Sequence, residues 1–169
     1  MKDEQGSSSP GATKIRLERT YPTSAEQVWM LWTTSEGIES WWAPDGFTAK
    51  VSKLDLRPGG ELVYTFTATA PEQVAFMTNA GMPLTTEAHK TFTELARPKR
   101  IAYNSVVDFV PGVKPYDQLT VVDLTPSGDR VRVVMTADPM HDDEWTQRLV
   151  MGRENELNNL GKLIERLRA

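Results

Sequence analysis

The chain has 169 residues, enough for one domain with a sizeable core, and its 19 basic and 23 acidic side chains leave a net charge of −4. No basic cluster is present to track a phosphate backbone, so nucleic acid is not an expected partner. There is no cysteine, which removes disulfides, a thiol nucleophile and thiolate zinc sites. No apolar run approaches the roughly 18 residues of a membrane span and the N-terminus lacks a signal-like apolar core, so the sequence predicts no membrane insertion and a cytoplasmic location.

Residues 1–12 (MKDEQGSSSPGA) are polar and Gly/Ser-rich, and are expected to form a disordered tail ahead of one domain over 13–169. Residues 13–20 alternate, with Ile15 and Leu17 against Lys14, Arg16 and Glu18, which predicts a half-buried strand that Pro22 ends. Ser24 with Gln27 three residues on makes a capping-box pattern, and Val28, Leu31 and Trp32 then share one helical face. A second short helix from Ser35 carries Ile38, Trp41 and Trp42 before Pro44 stops it.

From Phe47 the period changes to that of strands. Residues 47–56 and 61–69 flank Arg57-Pro58-Gly59-Gly60, where Pro followed by Gly suits a type II turn with positive φ at Gly59 or Gly60. Residues 87–95 and 100–109 flank Ala96-Arg97-Pro98-Lys99, and 116–125 and 130–137 flank Pro126-Ser127-Gly128-Asp129. Hairpins in succession make an antiparallel sheet. Residues 71–85 separate two strands by more than a hairpin needs. Pro71 and Glu72 suit a helix start and Gly81 and Pro83 its end, which leaves two readings: a lid carrying Val74, Phe76 and Met77, or extra core at a sheet edge.

The final segment, 142–167, repeats Leu149, Leu160, Leu163, Ile164 and Leu167 at three-to-four-residue spacing, with Arg148, Arg153, Glu156, Lys162 and Glu165 mostly between them. This predicts an amphipathic helix roughly 38 Å long whose apolar stripe lies on the sheet. Gly152 inside it is expected to mark a close approach of backbone to sheet or ligand.

Arg19-Thr20-Tyr21-Pro22, Ser24 with Val28-Trp29, Trp41-Trp42-Ala43-Pro44 and Asp55-Leu56-Arg57-Pro58-Gly59-Gly60 together resemble the family named after the activator of heat-shock-protein ATPase. That family belongs to the START-like, polyketide-cyclase-related superfamily. The resemblance runs over residues 13–167. It departs from the usual pattern at the 71–85 insertion and at Met151-Gly152-Arg153, where a Gly-Trp pair is common. It implies an α+β helix-grip fold, with six or seven curved antiparallel strands wrapped around the last helix and two short helices after the first strand.

A curved sheet cannot lie flush along a straight helix, so the gap is expected to form a pocket for a small hydrophobic or amphipathic ligand. Its candidate lining is Trp41, Trp42, Tyr64, Phe66, Phe76, Met77, Phe92, Tyr103, Leu149, Gly152 and Glu156. Core packing is the competing role for the aromatics, above all for Trp29 and Trp32. Asp55 and Arg57, two apart on one strand face, read as a contact that fixes the turn, with an anion clamp as the alternative. His141-Asp142-Asp143-Glu144 reads as a helix cap, because consecutive helical residues diverge and cannot converge on one ion.

No P-loop, nucleophile elbow or dinucleotide fingerprint is present, and neither metal nor cofactor is expected. Any catalysis would follow the cyclase relatives, with Tyr64, Arg57 or Glu94 handling protons. A ligand-binding domain ranks first, a cyclase- or hydrolase-like enzyme second and a chaperone partner last. A homodimer is left open.

Overall fold

In the computed structural model, which describes residues 14–168, one seven-stranded antiparallel sheet wraps a C-terminal helix. The strands are β1 (Ile15–Tyr21), β2 (Phe47–Leu54), β3 (Glu61–Ala68), β4 (Thr85–Ala96), β5 (Arg100–Val107), β6 (Tyr116–Ser127) and β7 (Arg130–Ala137). Their spatial order, β1-β7-β6-β5-β4-β3-β2, is a meander of six with β1 returned beside the last. The helices are α1 (Ala25–Thr33), α2 (Ser35–Trp41), α3 (Pro71–Asn79) and α4 (Asp143–Arg168). The expected tail at 1–12 lies outside the described residues.

Three of the four helices begin at a side-chain cap. Ser24 Oγ accepts from Gln27 N at 3.0 Å and Thr34 Oγ1 from Gly37 N at 3.0 Å, so α1 and α2 are capped in turn by hydroxyls. Asp142 Oδ1 accepts from Trp145 N at 2.8 Å and starts α4, as the capping reading of the acidic run required. Register irregularities between Val51 and Lys53 and between Phe92 and Glu94 put an extra residue into β2 and β4. Such bulges bend a strand and raise its twist, which lets the sheet curl around α4.

The seat of α4 is uneven. Leu157, Leu160, Leu163 and Ile164, in its second half, are buried against the strands and against Val28, Trp32 and Ile38 of α1 and α2. There Tyr21 Oη donates to the Leu157 carbonyl at 2.6 Å, and a Cβ on Gly161 would lie 3.2 Å from the Tyr21 ring. In the first half Leu149 and Val150 are half-buried and Met151 is exposed. The glycine that marks close approach is therefore Gly161. Gly152 has open space beside it, which corrects the expectation placed on it.

The Arg57–Gly60 turn behaves as its residues require. Gly60 N donates to the Arg57 carbonyl at 2.8 Å, and Gly59 adopts φ 86°. Gly59 N donates to the Phe92 carbonyl at 2.7 Å and Phe92 N to Gly60 O at 2.9 Å, so the turn is pinned to β4. β2 ends before Asp55, and Asp55 and Arg57 sit in the turn rather than on a strand face. Arg57 Nε bonds both Asp55 carboxylate oxygens, at 3.0 and 2.9 Å, in solvent. Gly59→Val should cost more than about 1 kcal/mol, because a β-branched residue resists this backbone region. Gly60→Ala should also destabilise, since its Cβ would lie 2.1 Å from the Asp55 carbonyl oxygen. Urea midpoints equal to wild type in both variants would refute this account of the turn.

Candidate functional site

Antiparallel register sets one polar row across the concave face. Lys90 of β4 is directly opposite Ser105 of β5, which is directly opposite Gln118 of β6. Directly opposed residues share a face, so the three side chains point the same way. The next row inward is Phe92, Tyr103 and Thr120, all buried. From α4, Arg153 comes down onto both rows. Its Nη2 donates to Gln118 Oε1 at 3.2 Å and its Nη1 to the Tyr103 hydroxyl at 3.3 Å.

Two cations are thus buried at the junction of the helix's tight and open halves. Lys90 is 7% exposed and Arg153 5%. Lys90 Nζ donates to Ser105 Oγ at 2.7 Å and lies 5.0, 5.6 and 5.7 Å from the ring centres of Tyr103, Trp42 and Tyr64. Burial, joined by the Arg153 charge, pulls Lys90 down from 10.5 to about 7, against an opposing pull from Glu156. The aromatic faces favour the charged form and offset part of that effect. Burial pushes Glu156 up, and the Arg153 and Lys90 charges together with the Trp42 indole act against it. Glu156 Oε1 and Trp42 Nε1 are nonetheless both buried without a bond of good hydrogen-bonding geometry among the described residues. Burial also raises Tyr103 to about 12 and raises Tyr64, so both phenols keep their protons at neutral pH.

A cavity of about 180 Å³ opens beside this cluster, under the first turns of α4. That is about six waters' share of volume, which restricts any occupant to a small molecule. Its polar wall is Tyr64, His89, Lys90, Ser105, Gln118 and Arg153, and its apolar wall includes Val107, Phe109, Met140 and Leu149. Two larger concavities lie on the surface. One of about 310 Å³ is on the outward sheet face by Arg100, Val121 and Asp123, and one of about 260 Å³ is by Asp45, Asn159 and Lys162. The charged side chains there reach water for much of their surface, and Arg100 Nε lies 3.5 Å from Glu94 and 3.6 Å from Asp123.

Of the residues expected in the pocket, Tyr64 and Leu149 line this cavity. Trp42, Phe92 and Tyr103 are buried in the layer behind it, and Trp42 stacks on Tyr64 with ring centres 5.8 Å apart. Trp41 is core, stacked on Trp42 at 5.3 Å with its Nε1 donating to the Leu31 carbonyl. Phe66 packs against Tyr64 at 4.9 Å. Glu156 belongs to the charged cluster, and Gly152 faces outward. In α3, Met77 is buried while Phe76 is 64% exposed, and neither is in the wall of the cavity. Arg57 and Glu94 are exposed and also away from it.

Lys90, Arg153, Ser105 and Gln118 were not expected here. The signal was present for the two cations. Ala88, Lys90 and Phe92 alternate onto one strand face, and Arg153 lies four residues from both Leu149 and Leu157, on the apolar stripe rather than between its members.

A curved antiparallel sheet gripping a C-terminal helix, with a cavity at the helix's raised end, defines the helix-grip class. The chain belongs to the Activator of Hsp90 ATPase homolog 1-like protein family, whose profile matches residues 22–165. Among curated proteins none matches it. Solved structures share its fold at low identity. An AHSA1-like protein from Aeromonas hydrophila is 18% identical with a TM-score of 0.71, over 92% of this chain and 94% of that one. A protein from Chromobacterium violaceum is 23% identical with a TM-score of 0.68, over 90% and 96%.

The buried lysine makes stability depend on pH. Between about 7 and 10.5 the unfolded chain holds a proton on Lys90 that the folded chain has released, so stability rises with pH across that window. The penalty is absent above 10.5 and complete below about 7. Glu156 acts oppositely and lower down: above 4.5 the folded chain keeps a proton the unfolded chain has lost, so stability falls as pH rises there. Lys90→Met should flatten the rise in the upper window. Urea midpoints measured across it decide the matter, and equal slopes in variant and wild type would contradict the placement of Lys90.

Proposed function

We propose that this protein binds a small amphipathic molecule with an apolar body and an anionic end, held between α4 and the concave face of the sheet. One observation carries the reading: two buried cations share a cavity wall with apolar side chains, and their hydrogen bonds go to the neutral groups Ser105, Tyr103 and Gln118. Glu156 is the carboxylate already acting on both cations, but burial favours its neutral form, so their charge is only partly compensated, and a carboxylate entering the cavity would supply the rest. The guanidinium of Arg153 is held by Tyr103 and Gln118, which orients it before an anion arrives. Leu149, Met140, Phe109 and Val107 would enclose the apolar body. Family membership supports a ligand-binding role of this general kind.

4-Methylbenzoate is a probe of suitable size and chemistry. It should bind more tightly than 4-methylbenzamide, and Arg153→Leu should weaken it by about tenfold or more, as expected for a lost charged hydrogen bond. Because Lys90 sits low, to about 7, binding of the anion at neutral pH should draw a proton onto it. Calorimetry in two buffers of different ionisation enthalpy would read that uptake directly. Equal affinity for acid and amide would refute an anion site. Native mass spectrometry of the purified protein is the direct search for a retained ligand.

A further inference from the structure

The same cavity holds a nucleophile that anion binding alone does not use. Lys90 Nζ is in the cavity wall, has one hydrogen-bond partner among the described residues, Ser105 Oγ, and is otherwise bordered by three aromatic faces. Its hydrogen-bond partner is neutral, so among the described residues no carboxylate at bonding distance fixes its proton, and Glu156 favours that proton only through its charge. Arg153, in the same wall, repels a proton from it and is independently placed to take an anion. An amine of this kind is the part needed to condense with a carbonyl group. We propose that Lys90 captures the carbonyl of a small aldehyde- or keto-acid as a reversible imine, the acid's carboxylate resting on Arg153. The proposal rests on the anion-binding reading and narrows its ligand to carbonyl-bearing acids.

The chemistry closes with no added reagent. The lone pair of neutral Nζ attacks the carbonyl carbon, forming a C–N bond while the C=O π pair moves to oxygen. One nitrogen proton passes to that oxygen, giving a carbinolamine. The C–O bond then breaks as the nitrogen lone pair forms C=N, and the second nitrogen proton leaves with the hydroxyl as water. Ser105 Oγ, already accepting from Nζ at 2.7 Å, is placed to relay these protons. Surrounding the amine with Trp42, Tyr64 and Tyr103 limits water, which favours condensation over hydrolysis. Burial keeps an appreciable share of Lys90 unprotonated at neutral pH, which sustains the attack.

The test uses 4-formylbenzoate with cyanoborohydride on the full-length protein, followed by peptide mapping by mass spectrometry. The expected result is one reduced adduct, on the peptide carrying Lys90, at substoichiometric reagent. Its yield should fall at least tenfold in Lys90→Met and should drop when 4-methylbenzoate is present as competitor. Mapping of wild type decides the question even if the variant fails to fold. Adducts spread over surface lysines with none at Lys90 would overturn the proposal. If 4-methylbenzoate binds by calorimetry while 4-formylbenzoate leaves Lys90 unmodified, imine capture fails and the anion site stands. If Lys90 is trapped while 4-methylbenzoate neither binds nor competes, Lys90 is a carbonyl-capturing amine but the carboxylate's seat on Arg153, and with it the anion-binding reading, is overturned.

Discussion

Everything in this molecule depends on how a straight 26-residue helix meets a curved sheet. The two can touch closely along only part of their length. The contact is at the C-terminal half, where Gly161 admits the Tyr21 ring and Leu157, Leu160, Leu163 and Ile164 are buried. The Tyr21 hydroxyl bonded to the Leu157 carbonyl fixes that end to β1. With one end seated, the bulges in β2 and β4 carry the sheet away from the other, and the cavity is the space left over.

The polar groups are concentrated where seat and cavity meet. A row of Lys90, Ser105 and Gln118 lies there, Arg153 ties Gln118 to Tyr103 of the next row, and Trp42 and Tyr64 stand beside them. An apolar set of the same shape would bury more comfortably, since burying a charge costs several kcal/mol unless a partner is supplied. Glu156 compensates only in part, because burial itself favours its neutral form. The cluster is therefore a net demand for negative charge inside an otherwise hydrophobic seam. That demand gives the cavity a chemical direction that its shape alone would not have.

The architecture was legible because it rests on period and punctuation. The hydroxyl cap at Ser24, the Pro58-Gly59 turn and the strand periodicity are local signals, and local signals survive into the structure. Boundaries shifted where pairing overrode them. β4 starts at Thr85, since Thr85 and Thr86 find partners in Thr67 and Phe66, and β6 continues to Ser127, which pairs with Arg130 across a two-residue turn. Of the candidate site, the aromatics, Leu149 and Glu156 were legible, and the two cations with Ser105 and Gln118 were not. An expectation that charged residues point outward put Arg153 on the wrong face of its helix. The close-approach role went to Gly152 because a glycine in a helix shows no direction until the crossing point is known. Gly161, nine residues on, faces β1 and carries that role.

Family membership and chemistry occupy different positions in this chain. The fold is carried by the buried apolar set and the turns, which is how structures only 18% or 23% identical can still superpose along most of their length. The backbone ladder that aligns Lys90, Ser105 and Gln118 is made by peptide groups, so the ladder would stand whatever those three side chains were. One row of the sheet and one turn of α4 can thus be changed without disturbing the seat at Gly161. It follows that the ligand of this protein must be argued from Lys90, Arg153 and Glu156 themselves, since the helix grip that presents them would hold equally well with other side chains in their places.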